Sequence, residues 1–237
     1  MSLLEGNDMD RVILECRAIN KSFYDPVEVH VLKNISLKVN EGEFISIVGR
    51  SGCGKSTLLY ILSTMDTDYR GELLINNELV THQTEAALAS IRNQKIGFVF
   101  QFHYLINEFS VLRNVMLPAL KLAKFSKEEI EFRAMEKLKL VGVDHLAFKG
   151  ANLISGGEKQ RVAIARAMVN DPAIIMGDEP TGNLDSRNAQ LVFDIFKELA
   201  ESYRQTLLIV THNQSFAEHS GRIIEIDDGQ IVTKDMF

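Results

Sequence analysis

The sequence predicts an α/β fold with a mainly parallel β-sheet, an antiparallel β lobe and a separate α-helical lobe. Short apolar runs that suit buried strands alternate with helical segments along the chain, which is typical of a parallel sheet. Alternating apolar and polar residues near the N-terminus and a hairpin signal near the chain end predict the β lobe. Residues from about 88 to 157 are mostly helical in pattern, and we expect them to form the helical lobe.

Length and composition favour one domain. The 237 residues, 46% of them hydrophobic, suffice for a large core with a smaller lobe but not for two such units. We expect the domain to span residues 11–237 and residues 1–10 to be a flexible extension, which lacks the pattern of a secretory signal. The net charge of −6 gives no reason to expect a nucleic acid as the main ligand. The sequence contains no run of about 20 apolar residues, so it predicts no membrane-spanning helix.

Two strands are predicted at residues 12–19 and 31–39, where apolar and polar residues alternate. A small aromatic cluster, Phe23 and Tyr24, lies between them in a predicted loop. An aromatic ring just upstream of a nucleotide site could stack on adenine. The residues alone leave this interpretation and simple packing of the two rings equally open.

A phosphate-binding loop follows the apolar run at residues 44–48, and a helix is predicted directly after it, over residues 57–64. The loop has the form G-x-x-x-x-G-K-S and comprises Gly49, Arg50, Ser51, Gly52, Cys53, Gly54, Lys55 and Ser56, with Thr57 next. Its glycines let successive N–H groups point at phosphates, Lys55 would reach the β- and γ-phosphates, and Ser56 would offer a hydroxyl to Mg²⁺. The strand before it and the helix after it favour this interpretation over a plain glycine-rich turn. We interpret Cys53 as a small filler, and with Cys16 it makes no disulfide framework, which fits a reducing cytosol.

The next elements are a strand at residues 71–79 with a turn at Asn76 and Asn77, and a short buried strand at residues 96–100. Gln101 follows the second strand. A glutamine there is ordinarily a surface residue. A role as a sensor of the γ-phosphate or Mg²⁺ depends on the other motifs.

The stretch from residue 102 to residue 120 is rich in apolar side chains. Part of it must belong to the core, and the rest could form an exposed patch for a partner, with even weight on either. Ser126 and Glu129 then have the spacing of a capping box that opens a helix. The buried stripe of that helix is predicted to contain Ile130, Ala134, Met135, Leu138 and Val141, with Gly142 at its end.

A second capping box is predicted from Ser155 and Glu158, which flank Gly156 and Gly157 before a helix over residues 159–170. Two glycines and a serine at a helix N-terminus could also bind an anion. In isolation, the capping interpretation is favoured.

Acidic residues and a histidine follow two further apolar strands. The strand at residues 173–176 leads to Asp178, which could hold Mg²⁺, and Glu179, which could polarise an attacking water. The strand at residues 207–210 leads to His212, and we expect a γ-phosphate contact because the two strands should share one sheet. Residues 223–232 close the chain with a hairpin signal centred on Asp228 and Gly229.

Taken together, the chain resembles the ATP-binding cassette of ABC transporters along essentially its whole length. The family's motifs stand in its order and at its approximate spacings: the phosphate loop at residues 49–56, Gln101, the signature segment at residues 154–158, the acids Asp178 and Glu179, Asp185, and His212. The resemblance implies a P-loop NTPase fold with a RecA-like core beside the β lobe and the helical lobe. Residues 101–105, 155–161 and 180–189 are similar to the subfamily of lipoprotein-release ATPases, macrolide-efflux ATPases and the cell-division ATPase FtsE. Within it, residues 101–103 and 183–189 are most similar to the lipoprotein-release type.

The resemblance also implies roles for individual residues. The catalytic residues would be Glu179, His212, Gln101 and Lys55. ATP would contact Phe23 through its adenine ring, residues 49–57 through its phosphates, and, from the partner chain, Ser155, Gly156, Gly157 and Asp185. Mg²⁺ would be held by Ser56, Gln101 and Asp178.

Two ATP molecules would lie between the subunits of a head-to-tail homodimer, and a transmembrane permease would dock near residues 101–120. The resemblance places such a subunit peripherally on the cytoplasmic face of the inner membrane. There, its hydrolysis of ATP is expected to power the release of lipoproteins, which is the function that the resemblance favours. The alternatives are a macrolide-efflux exporter and an FtsE-like regulatory ATPase that transports nothing.

Three residues depart from the family pattern: Ile154, Glu158 and Gly177. None of them removes a catalytic group, so an active ATPase is still expected. Our hypothesis for Glu158 is that its negative charge, near a helix end that must meet the partner's γ-phosphate, slightly weakens dimer closure.

Overall fold

The computed structural model describes residues 11–24 and 26–232. The predicted extension, residues 1–10, lies outside the described residues, as do residues 233–237 at the end of the predicted domain. The described strands are β1 (Val12–Tyr24), β2 (Glu28–Asn40), β3 (Phe44–Val48), β4 (Arg70–Ile75), β5 (Glu78–Leu79), β6 (Ile96–Val99), β7 (Ile174–Asp178), β8 (Leu207–Val210), β9 (Arg222–Asp227) and β10 (Gln230–Ile231). They form two sheets, which confirms the predicted α/β class.

The smaller sheet is antiparallel and has the order β2-β1-β4-β5. Its first hairpin is longer than predicted, because Phe23 pairs with Val29 and Tyr24 pairs with Glu28. The prediction that Phe23 and Tyr24 lie in a loop is therefore wrong, since ladder pairing extends β1 through both. The turn at Asn76 and Asn77 is confirmed, and both residues have positive φ angles.

The larger sheet has the order β10-β9-β3-β8-β7-β6, in which all strands except β10 are parallel. The hairpin signal near the chain end is confirmed as β9 and β10. Its predicted place in the antiparallel β lobe is wrong, because β9 pairs in parallel with β3 and so belongs to the larger sheet.

The helices are α1 (Lys55–Leu62), α2 (Glu85–Lys95), α3 (Val111–Leu122), α4 (Lys127–Leu140), α5 (Gly156–Met168), α6 (Ser186–Glu201) and α7 (Gln214–Glu218), with 3-10 turns at Asp144–Leu146 and Ala151–Leu153. α3 and α4 pack on each other and on α5. The range predicted for the helical lobe contains α3 and α4 but also β6, which is a strand of the larger sheet. Among the described residues, no helix is both long and apolar enough to span a membrane.

The helix that begins after Ser126 has only half of the predicted capping box. The Ser126 hydroxyl accepts from the Glu129 N–H, but the Glu129 carboxylate bonds to Arg133 instead of returning to the cap. The stripe of α4 is buried at Ile130, Ala134 and Leu138, as predicted, whereas Met135 is only partly buried.

Two hydrophobic cores cover the faces of the larger sheet. Alternate residues of a strand point to opposite faces, so Leu207 and Ile209 enter the core made with α3 to α7, whereas Leu208 and Val210 enter the core made with α1, α2 and the smaller sheet. Because both faces are covered, the strands are nearly continuous apolar runs. The carboxyl ends of β3, β6, β7 and β8 meet at one edge, and the polar motifs follow them there.

Candidate active site

A cleft of about 520 Å³ opens at this edge of the larger sheet. It is lined by Phe23, Val31, Gly49, Ser51, Gly52, Gly54, Lys55, Ser56, Thr57, Glu179 and His212. The structure thus brings the predicted adenine-stacking ring, most of the phosphate loop and two predicted catalytic residues, Glu179 and His212, to one cavity. Phe23 reaches it from the end of β1, in the other sheet.

Steric crowding explains two glycines of the phosphate loop. Gly49 has φ +147, and a Cβ there would lie 2.1 Å from the carbonyl oxygen of Ile226. Gly54 has φ +103, and a Cβ there would lie 2.7 Å from a methyl group of Leu32. Both positions combine a backbone conformation that glycine adopts easily with no space for a side chain.

The Lys55 ammonium is held over the loop. Its Nζ donates to the carbonyl oxygens of Gly49 at 2.9 Å and Arg50 at 2.8 Å, and only 7% of the residue is exposed. These contacts aim a positive charge into the cleft, where it suits a phosphate. Cys53 is buried inside the loop, with Sγ 3.9 Å from Lys55 Nζ, and it does not line the cleft.

A pair of oxygen donors beside the loop suits Mg²⁺. Ser56 Oγ donates to Asp178 Oδ1 at 2.9 Å, so two of the three side chains predicted to hold the ion lie together. Both offer the hard oxygen ligands that Mg²⁺ prefers. No group of three or more His, Cys, Asp or Glu side chains arranged to hold a metal occurs in the described part of the chain. Two protein oxygen ligands suit an ion that keeps several water or phosphate ligands, which is the usual binding mode of Mg²⁺.

Tyr60 is a site residue that the sequence interpretation missed. Its hydroxyl donates to Asp178 Oδ2 at 3.0 Å and so occupies the second carboxylate oxygen. Burial, together with the Asp178 charge, raises the pKa of Tyr60 to about 12, so the phenol stays a donor. Its position four residues after Ser56 on α1 was the available signal, because side chains at i and i+4 share a helix face.

Glu179 and His212, two of the predicted catalytic residues, contact each other. His212 Nδ1 lies 2.8 Å from Glu179 Oε2. Glu179 has φ +46, the left-handed conformation that costs energy for a residue other than glycine, and its N–H donates to the Val210 carbonyl at 2.9 Å. The end of β8, two residues before His212, therefore holds the Glu179 backbone in this conformation.

The departure at Gly177 has a packing reason. A Cβ there would lie 2.9 Å from Ile209 Cδ1 and 3.4 Å from Pro180 Cγ. The residue before Asp178 is thus crowded by the neighbouring strand and by the turn that follows Glu179.

Gln101 does not line the cleft, but it lies near its rim. A Cβ on Gly182 would be 3.0 Å from Gln101 Nε2 and 3.3 Å from Glu179 Oε2, so both side chains approach the same glycine. Gln101 and the carboxylate predicted to activate water are therefore neighbours.

The signature segment and Asp185 do not line the cleft, and Asn188 lies between them. A Cβ on Gly157 would lie 2.1 Å from Asn188 Oδ1, and Asn188 donates to both carboxylate oxygens of Asp185, from its N–H at 2.9 Å and from Nδ2 at 2.7 Å.

Ser155 and Glu158 form the complete capping box that was predicted. α5 begins at Gly156, three residues earlier than predicted, because the cap directly precedes both glycines. The structure thus does not bring the signature segment to this chain's own phosphate loop.

Comparisons with known proteins find a similar family and similar solved structures. The profile of the ABC transporter family matches residues 32–182. A dimeric structure of MJ0796, a bacterial ABC transporter cassette, has 39% sequence identity over 93% of this chain and 97% of that chain, with a TM-score of 0.86. A dimeric post-hydrolysis state of MJ0796 bound to ADP and Pi has 38% identity over the same shares and a TM-score of 0.85. CbiO1 from Clostridium perfringens, part of the ABC transporter complex CbiONQ, has 28% identity over 94% of this chain and 88% of that chain, with a TM-score of 0.83.

Proposed function

This chain belongs to the ABC transporter family as an ATP-binding, ATP-hydrolysing subunit, and from that premise we propose that it powers the release of lipoproteins from the inner membrane through a permease partner. Two stretches support the finer assignment: residues 101–103 and residues 183–189, which are most similar to lipoprotein-release ATPases. We further propose that the chain works peripherally, on the cytoplasmic face of that membrane.

The observation that carries the hydrolytic role is the Glu179–His212 pair at 2.8 Å beside the phosphate loop. Lys55 offsets negative charge on the β- and γ-phosphates, and the loop N–H groups hold them in place. Glu179 accepts a hydrogen bond from the attacking water and polarises it, while His212 orients Glu179 and contacts the γ-phosphate. Gln101 lies beside Glu179, near where the γ-phosphate would bind, and would act as its sensor. Ser56 and Asp178 would hold Mg²⁺, which when bound neutralises charge on the phosphate oxygens.

We propose that the ATP-bound form is a head-to-tail homodimer. The reason is that Ser155, Gly156, Gly157 and Asp185 lie outside the cleft of their own chain, although the family resemblance assigns them to ATP. In a head-to-tail dimer, the helix dipole and free N–H groups at the start of α5 would face the partner's γ-phosphate. The two MJ0796 structures are described as dimeric, which supports the proposal.

The proposed permease contact is the exposed aromatic surface after Gln101. Phe102 and Tyr104 are 56% and 65% exposed, whereas Val111 and Val115 of α3 belong to the core. The apolar stretch from residue 102 to residue 120 thus divides between the two expected roles. Exposed aromatic side chains of this size are typical of partner surfaces.

The test is co-purification from membranes of a tagged Glu179→Gln chain with ATP. The substitution removes the group that polarises water and leaves the phosphate loop intact, so the closed complex should accumulate. Lys55→Ala, which removes the phosphate-binding cation, is the matched control and should recover far less of the same complex. A permease with a large extracytoplasmic domain, recovered together with lipoproteins, would support the proposal. Recovery of cell-division proteins, or of no membrane protein, would contradict it.

A further inference from the structure

Side chains from other elements hold the segment between β6 and α3 that carries Gln101. We call residues 100–104 the connecting loop. Four of its five carbonyl oxygens accept hydrogen bonds from side chains: Phe100 from Gln160 at 3.0 Å, Gln101 from Asn183 at 3.4 Å, and His103 and Tyr104 from Arg166, each at 2.8 Å. The position of the connecting loop therefore depends on the elements that supply these donors.

Most of the donors come from α5. Gln160 is 1% exposed, and the two terminal nitrogens of Arg166 bind two successive carbonyls as a fork. The loop also approaches the start of the helix, where a Cβ on Gly156 would lie 4.0 Å from His103 Nε2. The contacts extend from Gly156 to Arg166, which is about 15 Å of helix.

Such contacts resist independent movement of loop and helix. Separating Gln160 from Phe100 would leave a buried amide and a carbonyl without partners, which is costly in the interior. The planar guanidinium of Arg166 also fixes the orientation of the loop, because both of its hydrogen bonds need the same geometry.

We propose that Arg166 and Gln160 are positioning residues that join the connecting loop and α5 into one moving unit. Force applied by the permease to Phe102 and Tyr104 then shifts the N-terminus of α5, and with it Ser155 and Gly157, relative to the partner's ATP. This inference rests on the proposed function for its permease and its dimer. The joining of loop and helix itself is a property of the single chain.

Arg161 provides a matched control on the same helix. It also donates to two successive carbonyls, of Val141 at 3.3 Å and Gly142 at 3.2 Å, but these belong to the end of α4 and the turn after it. Arg161→Lys and Arg166→Lys therefore make the same chemical change. Only the second weakens the attachment of the connecting loop.

The first measurement is the amide chemical shifts of Gly156 and Gly157, by NMR on the full chain without ATP. Arg166→Lys should move both resonances, together with those of residues 102–104, although Arg166 is about 15 Å along the helix from Gly156. Arg161→Lys, which is nearer to both glycines, should move mainly the resonances of residues 141–143. If Arg166 has only a local structural role, the chemical shifts of Gly156 and Gly157 should not change. That result, or an equal shift in the control, would overturn the inference.

Gln160→Met keeps the inference testable if Arg166→Lys does not fold. It removes the bond to Phe100 and also the Gln160 Oε1 atom, which has no hydrogen-bond partner among the described residues. The same two glycine resonances should move. If they stay in place in a folded Gln160→Met chain, the unit does not exist.

The second measurement is the ratio of ATPase activity with the co-purified permease to that without it. Arg166→Lys should lower this ratio about fivefold or more, within the usual range of coupling between sites, and Arg161→Lys should leave it near the wild-type value. An unchanged ratio for Arg166→Lys would overturn the functional part of the inference. Absence of lipoproteins from the complex would instead contradict the proposed cargo and would not alter the NMR result.

Discussion

Lys21 is a buried cation beside the proposed adenine site. Its Nζ forms ion pairs with Asp66 at 3.0 Å and Asp68 at 3.1 Å, and it lies 4.9 Å from the centroid of the Phe23 ring. Burial by itself would lower the pKa of Lys21, but the hydrogen bonds to the two aspartates outweigh it and raise the pKa, so the side chain stays charged. Lys21 therefore links the ring that faces the cleft to the segment that follows α1.

Lys21→Met should weaken binding of ATP but not of inorganic tripolyphosphate. A cation over an aromatic ring contributes about 0.5–2 kcal/mol, so the Kd for ATP should rise about two- to thirtyfold once Phe23 is less well positioned. Tripolyphosphate lacks the base, and its Kd should not change. Isothermal titration calorimetry measures both. Lys33→Met, which removes a surface ion pair with Asp228, is the control. An equal loss for both ligands would show that Lys21 does not act through the base.

Glu158 carries its charge at the surface proposed to meet the partner's ATP. The Ser155 hydroxyl at 2.7 Å and the Ser155 N–H at 2.6 Å both donate to Glu158 Oε2. These two donors lower the pKa of Glu158, so it remains ionised near neutral pH. A glutamine could accept the same hydrogen bonds without the negative charge.

Glu158→Gln should therefore strengthen ATP-driven dimerisation by about two- to fivefold, because it removes a negative charge that offsets the helix dipole where the partner's γ-phosphate would bind. The gain should shrink in high salt because salt screens the repulsion. Sedimentation of the Glu179→Gln chain over a range of ATP concentrations measures it. Glu129→Gln, in the first turn of α4, is the matched control. Dimerisation that does not change at either salt concentration would contradict the hypothesis.

At the scale of elements, β6 packs closely against the helix that carries the signature segment. A Cβ on Gly97 would lie 2.4 Å from the carbonyl oxygen of Ala167 and 3.1 Å from Pro172 Cγ. The nearest atom belongs to the backbone, so no side-chain rotation can relieve the overlap. The strand before the connecting loop and the end of α5 can pack this closely only because residue 97 has no side chain.

Gly97→Ala should lower the free energy of unfolding by about 1–3 kcal/mol, the usual cost of overpacking. Gly221→Ala is the control, because its Cβ would meet only the Phe44 carbonyl, at an ordinary 3.7 Å. Urea unfolding of both variants gives the comparison. A Gly97→Ala chain as stable as the control would mean that β6 and α5 can separate easily.

At the scale of the whole molecule, the turn between β9 and β10 attaches the smaller sheet to the larger one. The Lys33 N–H donates to the Gly229 carbonyl at 2.8 Å, and a Cβ on Gly229 would lie 2.3 Å from the Val31 carbonyl oxygen. β2 is therefore fixed beside the phosphate loop, where Leu32 crowds Gly54. Since β1 pairs with β2, this attachment also places Phe23 at the cleft.

The proposed head-to-tail dimer predicts complementation between two inactive variants. Lys55→Ala removes the phosphate-binding cation, and Ser155→Arg blocks the surface that would meet the partner's ATP. Each homodimer lacks an intact site, but a mixed dimer has one site in which both residues are native. An equal mixture should recover about a quarter of the wild-type ATPase activity if pairing is random. A mixture as inactive as its components would contradict the arrangement.

The sequence by itself determined the α/β class and the chemistry at the ends of the parallel strands. Gly49, Asp178 and His212 each follow a buried apolar run, and parallel strands bring their carboxyl ends to one edge, so local pattern was enough. Only the tertiary structure decided that Phe23 belongs to β1 and that the final hairpin joins the larger sheet. Both depend on the pairing of strands that are distant in the sequence. None of these contacts leaves a local periodic pattern in the chain.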